Sequence, residues 1–250
     1  MPARPRVRDG EGWPAPNSRR ILPLVGDLPN FLPSAQGLHY ANSWASAPVV
    51  EIPTPFGNVN IGDAKHGLCG GMAYAVRDLF EAHESPPPQT SNPASTSPAF
   101  HFITTRLIDS FDLPDGVAKY YEWMNLPTGD EFFVHGTSRR TIEVSMPAIR
   151  ATLDAGHPCP LGVVCVHSAN PQELGQNHQV LAYGYTDTAT TSTLRLYDCN
   201  HPDDDGVTIS FDHTNPHHST KFSYSYDDHT VIGFFPSQYT PKDPSPLFQQ

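Results

Sequence analysis

From Cys69 the apolar positions Met72, Ala73, Val76, Leu79 and Phe80 follow helical spacing, with Arg77, Asp78 and Glu81 on the opposite face. That pattern predicts an amphipathic helix ending near His83, ahead of Pro86-Pro87-Pro88. A second helix over 99–111 uses Phe102, Ile103, Leu107 and Ile108, and a third between Pro114 and Met124 uses Val117, Tyr120, Tyr121 and Met124. A fourth covers Glu143 to Leu153, with Pro147 near its first turn and Gly156 as its stop. The period then changes. Leu161 to His167 is a continuous apolar run of the kind that forms a buried strand, and Gln179 to Tyr185 and Thr193 to Tyr197 are β-rich runs. Val207 to Phe211 and Thr230 to Phe235 complete a sheet, and shorter strands are expected at 48–52 and 56–61. The class is α+β, a helical half followed by a mostly antiparallel β half.

Breaks in the pattern set the expected domain organisation. Residues 1–35 read as an irregular N-terminal arm, 36–238 as a single α+β domain, and 239–250 as a C-terminal tail. Within the domain, 85–98 is a Pro/Ser-rich loop and about 99–155 is a helical insertion.

Composition narrows the partners. The formal charge of −11, with only 15 Lys and Arg among 250 residues, argues against nucleic acid or an anionic membrane as the main partner. No apolar stretch is long enough to span a bilayer. The basic start, Met1 to Arg8, leads into polar, Pro-rich sequence without the apolar core of a secretory signal. Four cysteines do not make a disulfide scaffold, so the expected state is a reduced, cytoplasmic protein.

One cysteine is placed for chemistry. Cys69 lies in Gly67-Leu68-Cys69-Gly70-Gly71-Met72, at the start of the predicted helix. Unpaired N–H groups and the positive end of the macrodipole favour thiolate there, and the small residues that follow are expected to leave room for a substrate carbonyl. Downstream come Asn177-His178-Gln179-Val180-Leu181 and Leu196-Tyr197-Asp198-Cys199-Asn200. If the connection 186–191 turns the chain symmetrically, His178 falls opposite or diagonal to Asp198 and Cys199. His178 would then take and return the thiol proton, with Asp198 or Asn200 fixing its tautomer and orientation. The backbone N–H of Cys69 could serve as one oxyanion donor, and Asn58, Asn60 and Asp63 are the candidate side chains upstream.

The order of these motifs resembles the papain-like cysteine peptidases, and most closely their bacteriocin-leader-processing branch, the C39-like peptidases. The likeness rests on Cys69 at a helix start, Leu153-Asp154-Ala155-Gly156-His157-Pro158 before a strand, His178-Gln179-Val180-Leu181-Ala182-Tyr183-Gly184-Tyr185, and Tyr197-Asp198, across residues 60–202. The resemblance implies a papain-like fold in which a helical half carrying Cys69 packs on a β half carrying His178 and Asp198. It implies Cys69 as nucleophile, His178 as general base and acid, and Asp198 as the orienting group. The chain departs from that pattern at Asp63, six residues before Cys69, where the family has a glutamine.

The expected function is a thiol hydrolase or acyl-transfer enzyme acting on an amide bond, with a peptide or protein as substrate, no cofactor and no metal. A non-catalytic protein binding a peptide or small ligand in the same cleft is the alternative, and transglutaminase- or deamidase-like chemistry would use the same trio. The histidines of His213-Thr214-Asn215-Pro216-His217-His218 lack any zinc-site spacing and read as solvated. Asp203-Asp204-Asp205 reads as an exposed turn, and Cys159 and Cys165 as buried thiols. Oligomeric state is left open.

Overall fold

The computed structural model describes residues 23–44, 50–54, 57–61, 67–112, 115–226 and 230–249, with the backbone alone over 50–61. In chain order its elements are β1 (Leu24–Asp27), α1 (Pro33–Gln36), β2 (Val50–Thr54), β3 (Gly57–Ile61), α2 (Cys69–Glu81), α3 (Pro98–Ser110) and α4 (Asp115–Met124). They continue as α5 (Thr137–Arg139), a π turn (Arg140–Ser145), α6 (Met146–Asp154), β4 (Cys159–Val164), β5 (His178–Asp187), β6 (Thr191–Tyr197), β7 (Thr208–Asp212), β8 (Ser223–Tyr224) and β9 (Gly233–Pro236). Short 3₁₀ turns occupy Pro171–Gln176 and Ser245–Phe248.

The architecture is mixed α+β, helices first and then an antiparallel sheet of order β8-β7-β6-β5-β4-β9. β1 pairs with Gly184 to Asp187 of β5, beyond the stretch His178 to Ala182 that pairs with β4. β2 and β3 form a separate antiparallel pair. Among the described residues no helix is long and apolar enough to cross a membrane.

The burial of each strand follows its place in the sheet. β4 is buried at every position and β5 over its first eight residues, because helices and loops cover both faces of the centre. Alternate residues of β9 show the two layers. Phe235 packs on Tyr120 and Trp123 at centroid distances of 4.8 and 5.1 Å, whereas Phe234 joins Phe211 and Phe222 at 5.8 and 5.7 Å. β6 and β7 alternate buried and half-buried positions, as strands with one wet face do.

Several expectations change. Residues 24–27, expected within an irregular arm, form β1, and Leu28 and Phe31 enter the core. Phe31 packs on Tyr183 at 5.3 Å and on Phe80 at 5.7 Å. Strand β1 is only four residues long, too short to leave a period. The acidic run 203–205 is more than a turn: Asp205 accepts from the backbone N–H and the hydroxyl of Ser34, and Asp203 lies 2.6 Å from His39. The helical stretch expected from Glu143 starts at Thr137, with the π turn inside it.

Asp78, expected on the polar face of α2, is fully buried. It faces Arg106 of α3, which is 1% exposed: Arg106 Nη2 donates to Asp78 Oδ1 at 3.1 Å, and its Nε lies 2.7 Å from Oδ2. Burial pushes the Asp78 carboxyl up, against hydrogen bonds from Tyr239, the Lys242 N–H and Arg106. The segment expected as a loose tail is thereby clamped. The Tyr239 hydroxyl and Lys242 N–H donate to Asp78 at 2.7 and 2.9 Å, Arg106 donates to the Thr240 carbonyl at 3.0 Å, and Leu247 is buried. Periodicity places an Asp outside because it cannot see a cation on another helix.

Two helices end alike. After α6, Gly156 takes φ 91°, its N–H bonds the Leu153 carbonyl, and the His157 N–H bonds that of Thr152. After α2 the same pair of bonds runs from His83 to Phe80 and from Glu84 to Leu79, but the left-handed residue is His83, at φ 58°.

Two stability predictions follow from these features. Arg106→Met strands a buried carboxylate and lowers unfolding free energy by about 3–5 kcal/mol, read as a fall in urea midpoint. His83→Gly relieves the left-handed strain at an exposed site and raises stability by about 0.5–1 kcal/mol in the same assay.

Candidate active site

Cys69 is the first residue of α2 and is 7% exposed. No side chain of the preceding Leu68 caps the helix, so the first-turn N–H groups retain their partial positive charge. Asn42 holds this turn from outside: its Oδ1 accepts the Leu68 N–H at 3.3 Å, and its own N–H donates to the Cys199 carbonyl at 2.9 Å. One buried residue, through its side chain and its backbone N–H, thus links the residue before Cys69 to the residue after Asp198.

The two glycines after Cys69 are packing residues, which corrects the expectation that they clear space for substrate. A Cβ on Gly70 would stand 2.3 Å from Ser110 Oγ and 2.6 Å from Gln179 Nε2. A Cβ on Gly71 would stand 2.1 Å from the Ile103 carbonyl oxygen. Their absence lets α2 close on α3 and on the start of β5, which brings Cys69 up to His178.

His178 opens β5, and its backbone is pinned. Asn177 Oδ1 accepts the Cys165 N–H at 3.0 Å, Asn177 Nδ2 donates to the Leu174 carbonyl at 3.0 Å, and the Tyr120 hydroxyl donates to the His178 carbonyl at 3.3 Å. The connection to β6 is tighter than the symmetric 186–191 turn. Asp187 pairs with Ser192, and the Thr188 N–H bonds the Thr191 carbonyl at 2.9 Å. A bulge between Ala182 and Gly184 then shifts the register so that Ala182 faces Leu196. That pairing keeps His178, Val180 and Ala182 on the face shared by Leu196 and Asp198.

Three of the expected site residues meet. His178 Nε2 lies 2.8 Å from Asp198 Oδ1, with both side chains buried, and Cys69 is near enough to the same imidazole to favour its protonated form. Asn200, the alternative orienting group, supports Asp198 through its backbone: its N–H donates to Asp198 Oδ1 at 2.9 Å. Tyr224 of β8 donates its hydroxyl to Asp198 Oδ2, so the carboxylate is held at both oxygens. Asn58 and Asn60 lie on β3, in backbone register with Pro53 and Glu51. Their side chains, like Asp63 as a whole, fall outside the described residues.

The electrostatics match this geometry. Burial alone would lower the His178 pKa, but the Asp198 charge and hydrogen bond, with the sulfur of Cys69, hold it well above its ordinary 6.5. Burial would raise Asp198, yet His178, Tyr224 and the Asn200 N–H keep it well below its ordinary 3.8. Burial, then the neighbouring Asp198 and Cys69, pushes the Cys199 thiol up, so Cys199 stays protonated beside the site. Cys159 is buried and raised to about 11, whereas Cys165 is half-buried rather than buried.

Tyr224, Asn42 and Asn177 were not singled out by sequence reasoning. Tyr224 sits on a two-residue strand, Asn42 in an irregular segment, and Asn177 beside the histidine without any pattern of its own. Among the described residues no group of three or more His, Cys, Asp or Glu is arranged to hold a metal ion. His213 bonds Ser192 at 2.8 Å and His217 bonds Asp130 at 2.9 Å. Comparisons with protein-family models, with curated proteins and with solved structures find no match to this chain.

The two pKa shifts set a pH window. The depressed Asp198 contributes stability that is present above its unfolded value of 3.8 and lost as pH falls through its folded value. The raised His178 contributes stability that is complete below its unfolded value of 6.5 and lost as pH rises through its folded value. Asp198→Asn is therefore expected to be most destabilising near pH ~5, with the gap to the parent narrowing toward acid and toward alkali in urea midpoints measured across pH.

Proposed function

We propose that the chain is a papain-like thiol hydrolase that cleaves an amide bond, with a peptide as the substrate class. The observation that carries this reading is one buried imidazole between a carboxylate and a sulfur at a helix start: His178 bonds Asp198 at 2.8 Å, and Cys69 is near enough to help raise its pKa. The family resemblance of the sequence points the same way.

The chemistry follows from the contacts. His178 takes the Cys69 proton, and the resulting imidazolium is stabilised by Asp198, whose second oxygen Tyr224 holds. The thiolate attacks the carbonyl carbon, the C–S bond forms, and the π pair moves onto the oxygen. The N–H of Cys69, at the positive end of α2, is the donor nearest the developing charge. Collapse breaks the C–N bond, and His178 delivers its proton to the leaving amine. Water then gives its proton to His178 and attacks the thioester carbon, and the thiolate leaves with the acid as product.

Iodoacetamide labelling of Cys69 across pH, read by mass, tests the reading. A Cys69–His178 ion pair keeps labelling fast at pH ~6, on the order of tenfold or more above a free thiol, which is mostly protonated there. His178→Ala is expected to return the profile to that of a free thiol, and Cys69→Ala to abolish both labelling and peptide cleavage. A Cys69 that labels no faster than a free thiol at that pH would leave the cleft as a ligand-binding site.

A further inference from the structure

The proposed mechanism uses one cysteine and leaves a second one beside it. Cys199 directly follows the aspartate of the trio and is 1% exposed. Alternation along the strand turns its side chain to the face opposite Asp198. Carrying the register that pairs Leu181 with Tyr197 two residues further sets Cys199 across from Gln179. The Gln179 amide is what a Cβ on Gly70 would meet, at 2.6 Å, so this is the face on which the first turn of α2 rests. Asn42 ties the same two segments together, its Oδ1 accepting from the Leu68 N–H and its own N–H donating to the Cys199 carbonyl. Register and the Asn42 tie together put Cys199 under the N-terminus of α2, where Cys69 stands.

The other two thiols are placed differently. Cys159 opens β4 opposite Ala182, whereas His178 faces Val163, about 13 Å further along that strand. Cys165 lies just past the end of β4, its N–H held by Asn177 and its sulfur 3.7 Å from the Val163 carbonyl. The surroundings of Cys199 also keep it a thiol: burial, then the charges of Asp198 and Cys69, push its pKa up. While Cys69 is a thiolate, Cys199 is therefore no target for an oxidant. Conversion of Cys69 to an uncharged sulfenic acid removes one of those two opposing charges. The thiol that oxidises first and the thiol that answers it are thus ordered by their environment.

Resting on the reading of Cys69 as a histidine-activated thiolate, we infer that Cys69 and Cys199 form a reversible disulfide, with Cys199 as the resolving thiol that protects the nucleophile against hydroperoxides. The Cys69 sulfur attacks the terminal oxygen of the hydroperoxide. The S–O bond forms, the O–O bond breaks, and the alcohol, or water from hydrogen peroxide, leaves with the proton that His178 had taken. The Cys199 sulfur then attacks the sulfenic sulfur, the S–S bond forms and the S–O bond breaks, and hydroxide departs as water with the Cys199 proton. The two sulfurs lose two electrons between them, and the peroxide gains both. Capped in this way, Cys69 has no thiolate to offer a carbonyl, so cleavage stops until an external dithiol reduces the bond. Without Cys199 the sulfenic acid meets a second hydroperoxide and becomes the sulfinic acid, which thiols do not reverse.

Hydrogen peroxide, added to the whole chain at neutral pH and followed by intact mass and non-reducing peptide mapping, tests this inference. The expected result is a monomer lighter by about 2 Da, with one cross-linked peptide pair holding Cys69 and Cys199. Iodoacetamide labelling of Cys69 should be blocked in that species and restored by dithiothreitol. Cys199→Ala should label at the parent rate before peroxide. After peroxide it should gain about 32 Da at Cys69 and recover on the order of tenfold less labelling in dithiothreitol. Cys165→Ala should behave as the parent does. The map of the parent decides the matter even where a variant folds poorly. A Cys69 that stays unmodified, that takes up oxygen without the link, or that links to Cys159 or Cys165 would overturn the inference, as would full recovery in Cys199→Ala. A free-thiol iodoacetamide profile before peroxide would instead overturn the underlying thiolate reading, so the two failures are distinguishable.

Discussion

Two residues without side chains let the first turn of α2 approach α3 and the beginning of β5 more closely than any Cβ would permit, and the site depends on that approach. With Gly70 under the Gln179 amide and Gly71 against the Ile103 carbonyl, the N-terminus of α2 is pressed into the seam between the helical and β halves. Cys69 stands at that end, where helix dipole and histidine act on it together. A methyl group at Gly71 would meet backbone rather than a movable side chain, so the seam could accommodate it only by shifting an entire helix.

On the other side of the seam, the histidine is held by three different means. The β5–β6 pairing sets its face, the Asn177 and Tyr120 bonds fix its backbone, and Asp198 fixes its ring. Asp198 is in turn fixed by Asn200 and Tyr224. Burying a carboxylate so completely is unfavourable unless its lone pairs are occupied, and here each oxygen has a donor. Asn42 closes the arrangement by bonding the backbone on both the cysteine and the aspartate sides.

A second buried ion pair, Asp78 with Arg106, does for the scaffold what Asp198 does for the histidine. It joins α2 to α3 and draws in the chain near Tyr239 and Lys242, so the C-terminal segment braces the helix that carries the nucleophile. Both ends of the described chain are used in this way, since β1 extends the sheet along β5 while the acidic run 203–205 ties down Ser34 and His39.

What the sequence determined by itself was whatever rests on local periodicity and order. The helix from Cys69, the loop at 85–98, the helices near 99–111 and 114–124, and the central β runs all follow from spacing and from Pro and Gly positions. The even spacing along two neighbouring strands was enough to put His178 and Asp198 on one face. The tertiary structure alone decided what depends on partners distant in the chain. It turned Asp78 inward because Arg106 was there to meet it, chose the Asp198 carboxylate over the Asn200 side chain, brought in Tyr224 and Asn42, and made Gly70 and Gly71 contact residues. A period records which face of an element is buried, whereas the identity of the group across the interface comes into being only when the elements pack.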